Sequence, residues 1–199
     1  MIRRLSTFEH KRGFYIPFDS LCLIVLTGIV FLLAYLEKTG SFDFDYWLTT
    51  LLIIWVLSFV TFLISRFFLY EIENGEYKGS LILKEDSILI NEIEYDLNEI
   101  TSIKIYSSDK KGEFVNSVFE FSRHLSNGLN NEITIELKNG EVIKTHFLQT
   151  EREKIKFSKN ELISYYKKRK FSWLHLLDIL EIADYEKIQV FKKELNNKN

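Results

Sequence analysis

Residues 20–36, SLCLIVLTGIVFLLAYL, and residues 46–65, YWLTTLLIIWVLSFVTFLIS, contain no Asp, Glu, Lys or Arg. At about 1.5 Å rise per residue they reach roughly 26 and 30 Å as helices. A bilayer core is about 30 Å thick. Pro17 and Phe18 extend the first run to full length. Pro17 also suits the first turn of a helix, where its missing N–H costs nothing. Both runs are apolar all round, whereas a core helix usually keeps a polar face. A cleaved leader fits the first run poorly, because Leu33-Ala34-Tyr35 offers no small-x-small site and a second run follows at once. Two transmembrane helices are therefore expected.

Outward from these runs, Tyr35, Tyr46, Trp47 and Tyr70 fall where amphipathic rings favour the headgroup layer. Trp55 sits mid-span and is expected to pack between the helices or face lipid. Gly28 offers a place for close helix approach. The connecting loop Glu37 to Asp45 sets Lys38 against Glu37, Asp43 and Asp45. The flanks carry Arg3, Arg4, Lys11 and Arg12 before the first run and Arg66 after the second. Lys and Arg concentrate on cytoplasmic flanks. Both termini are thus expected in the cytoplasm, with the protein integral to the cytoplasmic membrane. The division that follows is a cytoplasmic segment 1–19, a hairpin 20–70 and a cytoplasmic domain 71–199.

The chain has 199 residues and a formal net charge of −2, which gives no ground for a nucleic-acid partner. Cys22 is the one cysteine, so no intrachain disulfide exists. The Ile, Lys and Asn bias points to an AT-rich bacterial genome. After Glu76 the apolar period becomes two. Leu81 and Leu83 are followed by the polar turn Lys84-Glu85-Asp86 and then by Ser87 to Ile90. Ile93, Tyr95 and Leu97 alternate with Glu94 and Asp96, and Ile103 and Ile105 flank Lys104. Such runs indicate an antiparallel meander. Ile133, Ile135 and Leu137 alternate strictly and should face a core. Asn139-Gly140 predicts a tight type I′ return into Glu141 to Leu148. Within Ser107 to Asn131, Phe114, Val115, Val118, Phe119 and Phe121 suggest one more strand in a mobile loop, and Ser126-Asn127-Gly128 and Asn130-Asn131 read as turn. Beyond it the pattern turns helical. Ser158 and Glu161 match a capping box. Leu162, Ile163 and Tyr166 share a face, as do Trp173, Leu176, Leu177 and Leu180. Asp184 caps a last helix with Ile188, Phe191 and Leu195 on one side. The fold class is α+β: a hairpin, then an antiparallel sheet closed at one end by helices.

The segments Gly79-Ser80-Leu81-Ile82-Leu83, Ser87 to Ile90, Tyr95 to Ile105 and Asn131 to Gly140 resemble bacterial pleckstrin-homology-like (PH-like) domains tethered behind a transmembrane hairpin. The resemblance implies a PH-like barrel with a C-terminal helix. Folds of that kind host lipid binding, peptide binding and oligomerisation, so it implies a fold more than a function. Phosphoinositide-binding members of the wider fold use basic residues around the first strand–turn. Here that turn is Lys84-Glu85-Asp86, which argues against inositol-phosphate binding there.

No catalytic, metal-binding or cofactor-binding constellation is legible. His10, His124, His146 and His175 have no metal-ligand spacing and no cysteine to join them. His146 reads as a strand histidine, and His124 beside Arg123 is the one to inspect. There is no phosphate loop and no G-x-S-x-G. Charge is more informative: Glu71 to Tyr106 holds nine acidic and three basic residues, and Glu151 to Lys170 holds eight basic and three acidic ones. Lys154, Lys156, Lys159, Lys167, Lys168, Arg169 and Lys170 are the candidate contacts for anionic lipid or a partner. They face either the bilayer or the acidic half of the domain. The expected function is a non-enzymatic, membrane-anchored interaction or scaffold protein that binds an unknown protein or itself. The alternatives are a module sensing anionic lipid headgroups and an accessory subunit of a membrane enzyme or transport complex.

Overall fold

The structure, a computed structural model, describes residues 3–11, 13, 15–40, 45–115 and 122–197. Arg12, Asp43, Val118, Phe119 and Phe121 lie outside the described residues. Among the described residues are five α-helices and seven strands, in two units that alternate along the chain. One unit takes Met1–Lys11, Gly75–Glu113 and Ser126–Asn199; the other takes Arg12–Asn74 and Phe114–Leu125.

The second unit contains α1 (Phe18–Lys38) and α2 (Asp45–Ser65), 21 residues each and apolar enough to cross a membrane. Their large apolar side chains, among them Ile24, Phe31, Ile53 and Leu57, are exposed. In water that exposure would oppose folding; in lipid it carries no penalty. Trp55 packs between the helices, where its indole N–H donates to Thr27 Oγ1 at 2.9 Å. Thr27 in turn donates to the carbonyl of Leu23 at 2.7 Å. Gly28 is not a point of close approach, because a Cβ there would meet nothing within 4 Å.

The first unit is an α+β domain built on one open, seven-stranded antiparallel sheet. Its strands are β1 (Leu5–His10), β2 (Gly75–Leu83), β3 (Ser87–Ile90), β4 (Ile93–Asp96), β5 (Ile100–Tyr106), β6 (Asn131–Leu137) and β7 (Val142–Phe147). Their order is β4-β3-β2-β1-β7-β6-β5. Periodicity revealed β2 to β7 but not β1, whose Leu5, Thr7 and Phe8 are all buried. Leu5 pairs with Leu81 and His10 with Gly75 on one side, and Thr7 pairs with Phe147 on the other. The centre of the sheet therefore comes from the segment that precedes the hairpin. Gly75 is required where the chain re-enters, since a Cβ there would lie 2.2 Å from the Glu9 carbonyl oxygen.

Two turns exchange the expected geometry. Asn91 and Glu92 both have positive φ, 50° and 73°, between the paired Ile90 and Ile93. That is the two-residue type I′ hairpin. The Asn139-Gly140 loop instead has positive φ at Gly140 alone, at 86°. The Gly140 N–H donates to Leu137 at 3.0 Å and the Leu137 N–H to Glu141 at 2.8 Å. This is a three-residue loop ending in a left-handed glycine. The Asn139 side chain explains the choice, because its Oδ1 accepts from the Glu141 N–H at 2.9 Å. Asn131 is not a turn residue either; it opens β6, fully buried.

Helices α3 (Lys159–Lys167), α4 (Trp173–Ile179) and α5 (Tyr185–Asn197) supply the rest of the core. Leu162, Tyr165, Leu176, Ile179 and Phe191 join Leu81, Ile88, Ile103, Ile133 and Ile135 in one apolar cluster. Leu137 packs against it partly buried. Asp184 caps α5 through the N–H groups of Glu186 and Lys187, at 2.9 and 3.1 Å. The capping box at Ser158 does not form: no side-chain cap bond is made. Ser158 is buried directly behind a 3₁₀ turn, Ile155–Phe157, which sets its backbone away from cap geometry. Ile135 has no exposed surface, whereas Ile93 on β4 is 58% exposed. Ile135→Ala in the full chain should therefore cost about 2–5 kcal/mol. Ile93→Ala should cost about 0.5 kcal/mol or less. Denaturant unfolding in detergent measures both, and equal losses would contradict this register.

Candidate functional site

The seven candidate cations lie on the 3₁₀ turn, α3 and the residues flanking them. Lys154 bonds Glu151 at 3.1 Å, and Lys159 bonds Glu194 at 3.0 Å while covering the Phe191 ring. Lys156 pairs with Glu181, and Lys168 with Asp86 on the acidic β2–β3 turn. Lys170 Nζ donates to the Ile100 carbonyl at 2.5 Å. Burial, then Lys138 and Lys168, hold the Lys170 amine below its ordinary value. Lys167 lines a shallow groove with Tyr166, Trp173 and Lys192. Arg169 is exposed. Most of this charge is thus matched by carboxylates or carbonyls within the sheet unit. Exposed pairs of this kind contribute about 0–1 kcal/mol each. The β2–β3 turn is occupied as well: Tyr165 donates its hydroxyl to Lys84 at 2.7 Å and Ser87 at 3.0 Å, and Ser164 donates to Glu85 at 2.9 Å. Burial pushes the Tyr165 phenol far above its ordinary value.

Arg169 has its own structural role. Its φ is 58°, its N–H donates to Tyr166 at 2.8 Å, and the next N–H, of Lys170, donates to Tyr165 at 3.0 Å. This is a Schellman ending, where glycine is the usual residue. Glu181 ends α4 in the same way, with φ 56°. The Glu181 carboxylate is also held by Lys110 at 3.1 Å and by Lys156.

A buried polar cluster ties the loop around Asp109 to β6 and β7. Asn131 Nδ2 donates to the carbonyls of Asp109 and Gly128, both at 2.8 Å. Gln149 Nε2 donates to Ser107 at 2.8 Å and to Asn131 Oδ1 at 2.9 Å, and Gln149 Oε1 accepts from the Ile155 N–H at 3.0 Å. Asp109 receives the Ser126 hydroxyl and the Asn130 N–H. These groups bond one another, so the cluster fixes the loop against β6 and β7.

The four histidines each meet neighbouring groups. His175 Nε2 accepts from the Ile105 N–H at 3.0 Å, so the ring is neutral and serves an edge strand that has no further neighbour. Burial holds its pKa below the ordinary value. His146 is lowered by burial and then by His10, whose ring stands edge-on at 4.6 Å. His124 stacks against both Phe67 and Phe114, at 4.7 and 5.1 Å, and those two rings also stack on each other at 6.3 Å. Among the described residues no three His, Cys, Asp or Glu side chains gather as metal ligands would.

The hairpin unit contains a cluster that the sequence reading missed. Asp19 in the first turn of α1 meets Arg66, the residue after α2, at 3.1 Å, and Arg123 at 3.4 Å. Arg66 is only 2% exposed; its Nη2 reaches Ser20 Oγ at 3.1 Å and its guanidinium covers the Phe62 ring at 3.8 Å. A signal for the pair existed, since an acid and a base bracket the two apolar runs at matching ends. Arg123 had none, because it arrives from a distant loop. That loop is joined to the residues after α2 by the His124 N–H to Arg66 at 3.0 Å and the Glu71 N–H to Leu125 at 2.7 Å.

Comparison with protein-family models, with curated proteins and with solved structures found no match to this chain.

Two outcomes follow from this chemistry. Protonating His175 destroys its acceptor, so its folded pKa lies below the unfolded one, near 6.5. Its contribution is complete above that value and declines as pH falls through it, because the unfolded chain then binds the proton more readily. His175→Gln, which keeps an acceptor, should flatten the stability profile between about pH 7 and 5 in pH-resolved thermal unfolding. Arg169→Gly should leave the fold intact and raise stability by up to about 1 kcal/mol, since it relieves a left-handed β-carbon. Denaturation midpoints check it, and a loss would mean that the Arg169 side chain holds something.

Proposed function

We propose that this chain is a membrane-anchored interaction protein whose hairpin crosses the cytoplasmic membrane with both termini in the cytoplasm. One observation carries the proposal: the apolar hairpin is inserted between two strands that pair with each other. The chain leaves the sheet at His10 and returns at its partner Gly75. A domain interrupted in this way is tethered at two adjacent points. An even number of spans also returns the chain to the side it left. Arg3, Arg4 and Lys11 on that side, against Lys38 alone at the far end of α1, favour the cytoplasm.

The sheet unit is read as PH-like. Two antiparallel meanders, β1 to β4 and β5 to β7, are joined by the pairing of their first and last strands, and C-terminal helices cover one face. The partner is read as a protein that adds to the β4 edge. The opposite edge, β5, is already served by C-terminal residues: the Ile103 N–H donates to Lys170 at 2.9 Å and the Ile105 N–H to His175. The ladder ends at β4, whose Ile93 is exposed. Strand addition at such an edge draws affinity from main-chain hydrogen bonds.

Photo-crosslinking in native membranes tests this reading. A photoreactive residue at Ile93 should capture a discrete protein, or a second copy of this chain, and one at Lys104 on β5 should not. Carbonate-washed membranes should retain the chain, and a reporter after Asn199 should be active only in the cytoplasm. Release by carbonate would remove the anchor, and equal capture at both edges would remove the β4 assignment.

A further inference from the structure

The strongest unassigned feature is the arginine cluster at the end of the hairpin where α1 begins and α2 finishes. Two guanidinium groups, Arg66 and Arg123, share the carboxylate of Asp19. Neither Arg66 Nε nor Arg123 Nε has a hydrogen-bond partner among the described residues, although both atoms are buried. The Arg66 side chain is itself almost wholly buried. A buried donor left unmade is costly, more so on a charged group. Beside it opens a cleft of about 410 Å³, lined by Ser20, Arg66, Glu71, Ser122 and Arg123. Pro17 and Ser20, at the start of α1, line the same cleft.

The place narrows the occupant. Arg66 directly follows the last apolar residues of α2, and Ser20 lies in the first turn of α1. In a chain whose hairpin crosses a bilayer, both therefore sit at the depth of the lipid phosphates. Exposed aromatic rings accompany them: Phe67, Phe68, Tyr70 and Phe114. Such rings favour that layer. Planar guanidinium groups match the oxygens of a phosphate in paired hydrogen bonds.

We propose that this cleft binds the phosphodiester of a glycerophospholipid headgroup, with Arg66 and Arg123 as its donors and Ser20 and Ser122 at its rim. Glu71 lines the same cleft and adds a second carboxylate beside Asp19, so recognition there depends on guanidinium–phosphate hydrogen-bond geometry and not on surplus positive charge. The proposal rests on the hairpin crossing the membrane. It places lipid recognition at the hairpin and away from the lysine-rich segment of the sheet unit.

The test uses the full chain, purified in mild detergent, stripped of lipid, and incubated with dihexanoyl phosphatidylglycerol, dihexanoyl phosphatidylethanolamine or sodium phosphate. Native mass spectrometry counts what stays bound. The wild type should retain one phospholipid per chain. Arg123→Gln should weaken that binding about tenfold, the loss expected for one charge-assisted contact. Arg66→Gln should do the same where it folds; Arg123, being more exposed, keeps the test valid where it does not. Lys168→Gln should leave binding unchanged. Equal binding by wild type and Arg123→Gln would overturn the site, as would an equal loss in Lys168→Gln. Binding of sodium phosphate as tight as that of the phospholipids would overturn the lipid assignment. Carbonate washing of the same variants separates the failures: a chain that stays in the membrane without lipid discrimination loses only this inference, and a chain that washes off loses the anchor as well.

Discussion

The pairing of β1 with β2 is the constraint on which the other features depend. These strands are neighbours in the sheet but are separated in the chain by the whole hairpin. Pairing His10 with Gly75 forces whatever lies between them to return to its starting point. Two antiparallel helices of equal length do this, and the Asp19–Arg66 pair closes their shared end. The same strand carries a second duty. With β2 on one side and β7 on the other, β1 joins two meanders that would otherwise be separate sheets. Loop-closure entropy grows only slowly with loop length, so an insertion of this size is compatible with the pairing. The steric demand appears instead at the point of return, where only glycine fits against the Glu9 carbonyl.

Around that sheet the polar groups are organised to hold backbone. Asn131 and Gln149 satisfy carbonyls that a loop leaves without ladder partners. His175 gives an edge strand an acceptor, and Tyr165 reaches the turn between β2 and β3. Each is a side chain doing what a neighbouring strand would do. The two edges of the ladder then differ: C-terminal residues serve β5, and β4 stays short, carrying Glu94 and Asp96. Natural sheets blunt edges in that way.

Charge separates what a linear reading sees from what the fold does with it. The lysine-rich segment is the densest cluster in the chain, yet Lys154, Lys156, Lys159 and Lys168 meet carboxylates, and Lys170 meets a carbonyl. Their partners Asp86, Glu181 and Glu194 lie as far as 82 residues away in the chain, so density in sequence was no measure of free charge. Arg66 shows the converse. It read as one more cytoplasmic flank residue, but it is buried and shares the Asp19 carboxylate with Arg123.

The sequence by itself determined the elements whose physics is local. Two uncharged runs of bilayer length, strict alternation at Ile133, Ile135 and Leu137, and the i, i+3, i+7 spacing of Ile188, Phe191 and Leu195 each encode an element through its own period. Turn chemistry was legible only in part. Asn139-Gly140 did mark a hairpin, but the type I′ geometry went to Asn91-Glu92, where the tight pairing of Ile90 with Ile93 imposes positive φ on residues that carry no glycine signal. Tertiary structure alone decided the rest. A six-residue strand, Leu5–His10, alternates too briefly to stand out and is a strand because two distant neighbours pair with it. Arg123 joins Arg66 because a loop returns to the hairpin. A local pattern records the period of one element, and it holds no record of which remote residue will supply the missing hydrogen bond or counter-charge.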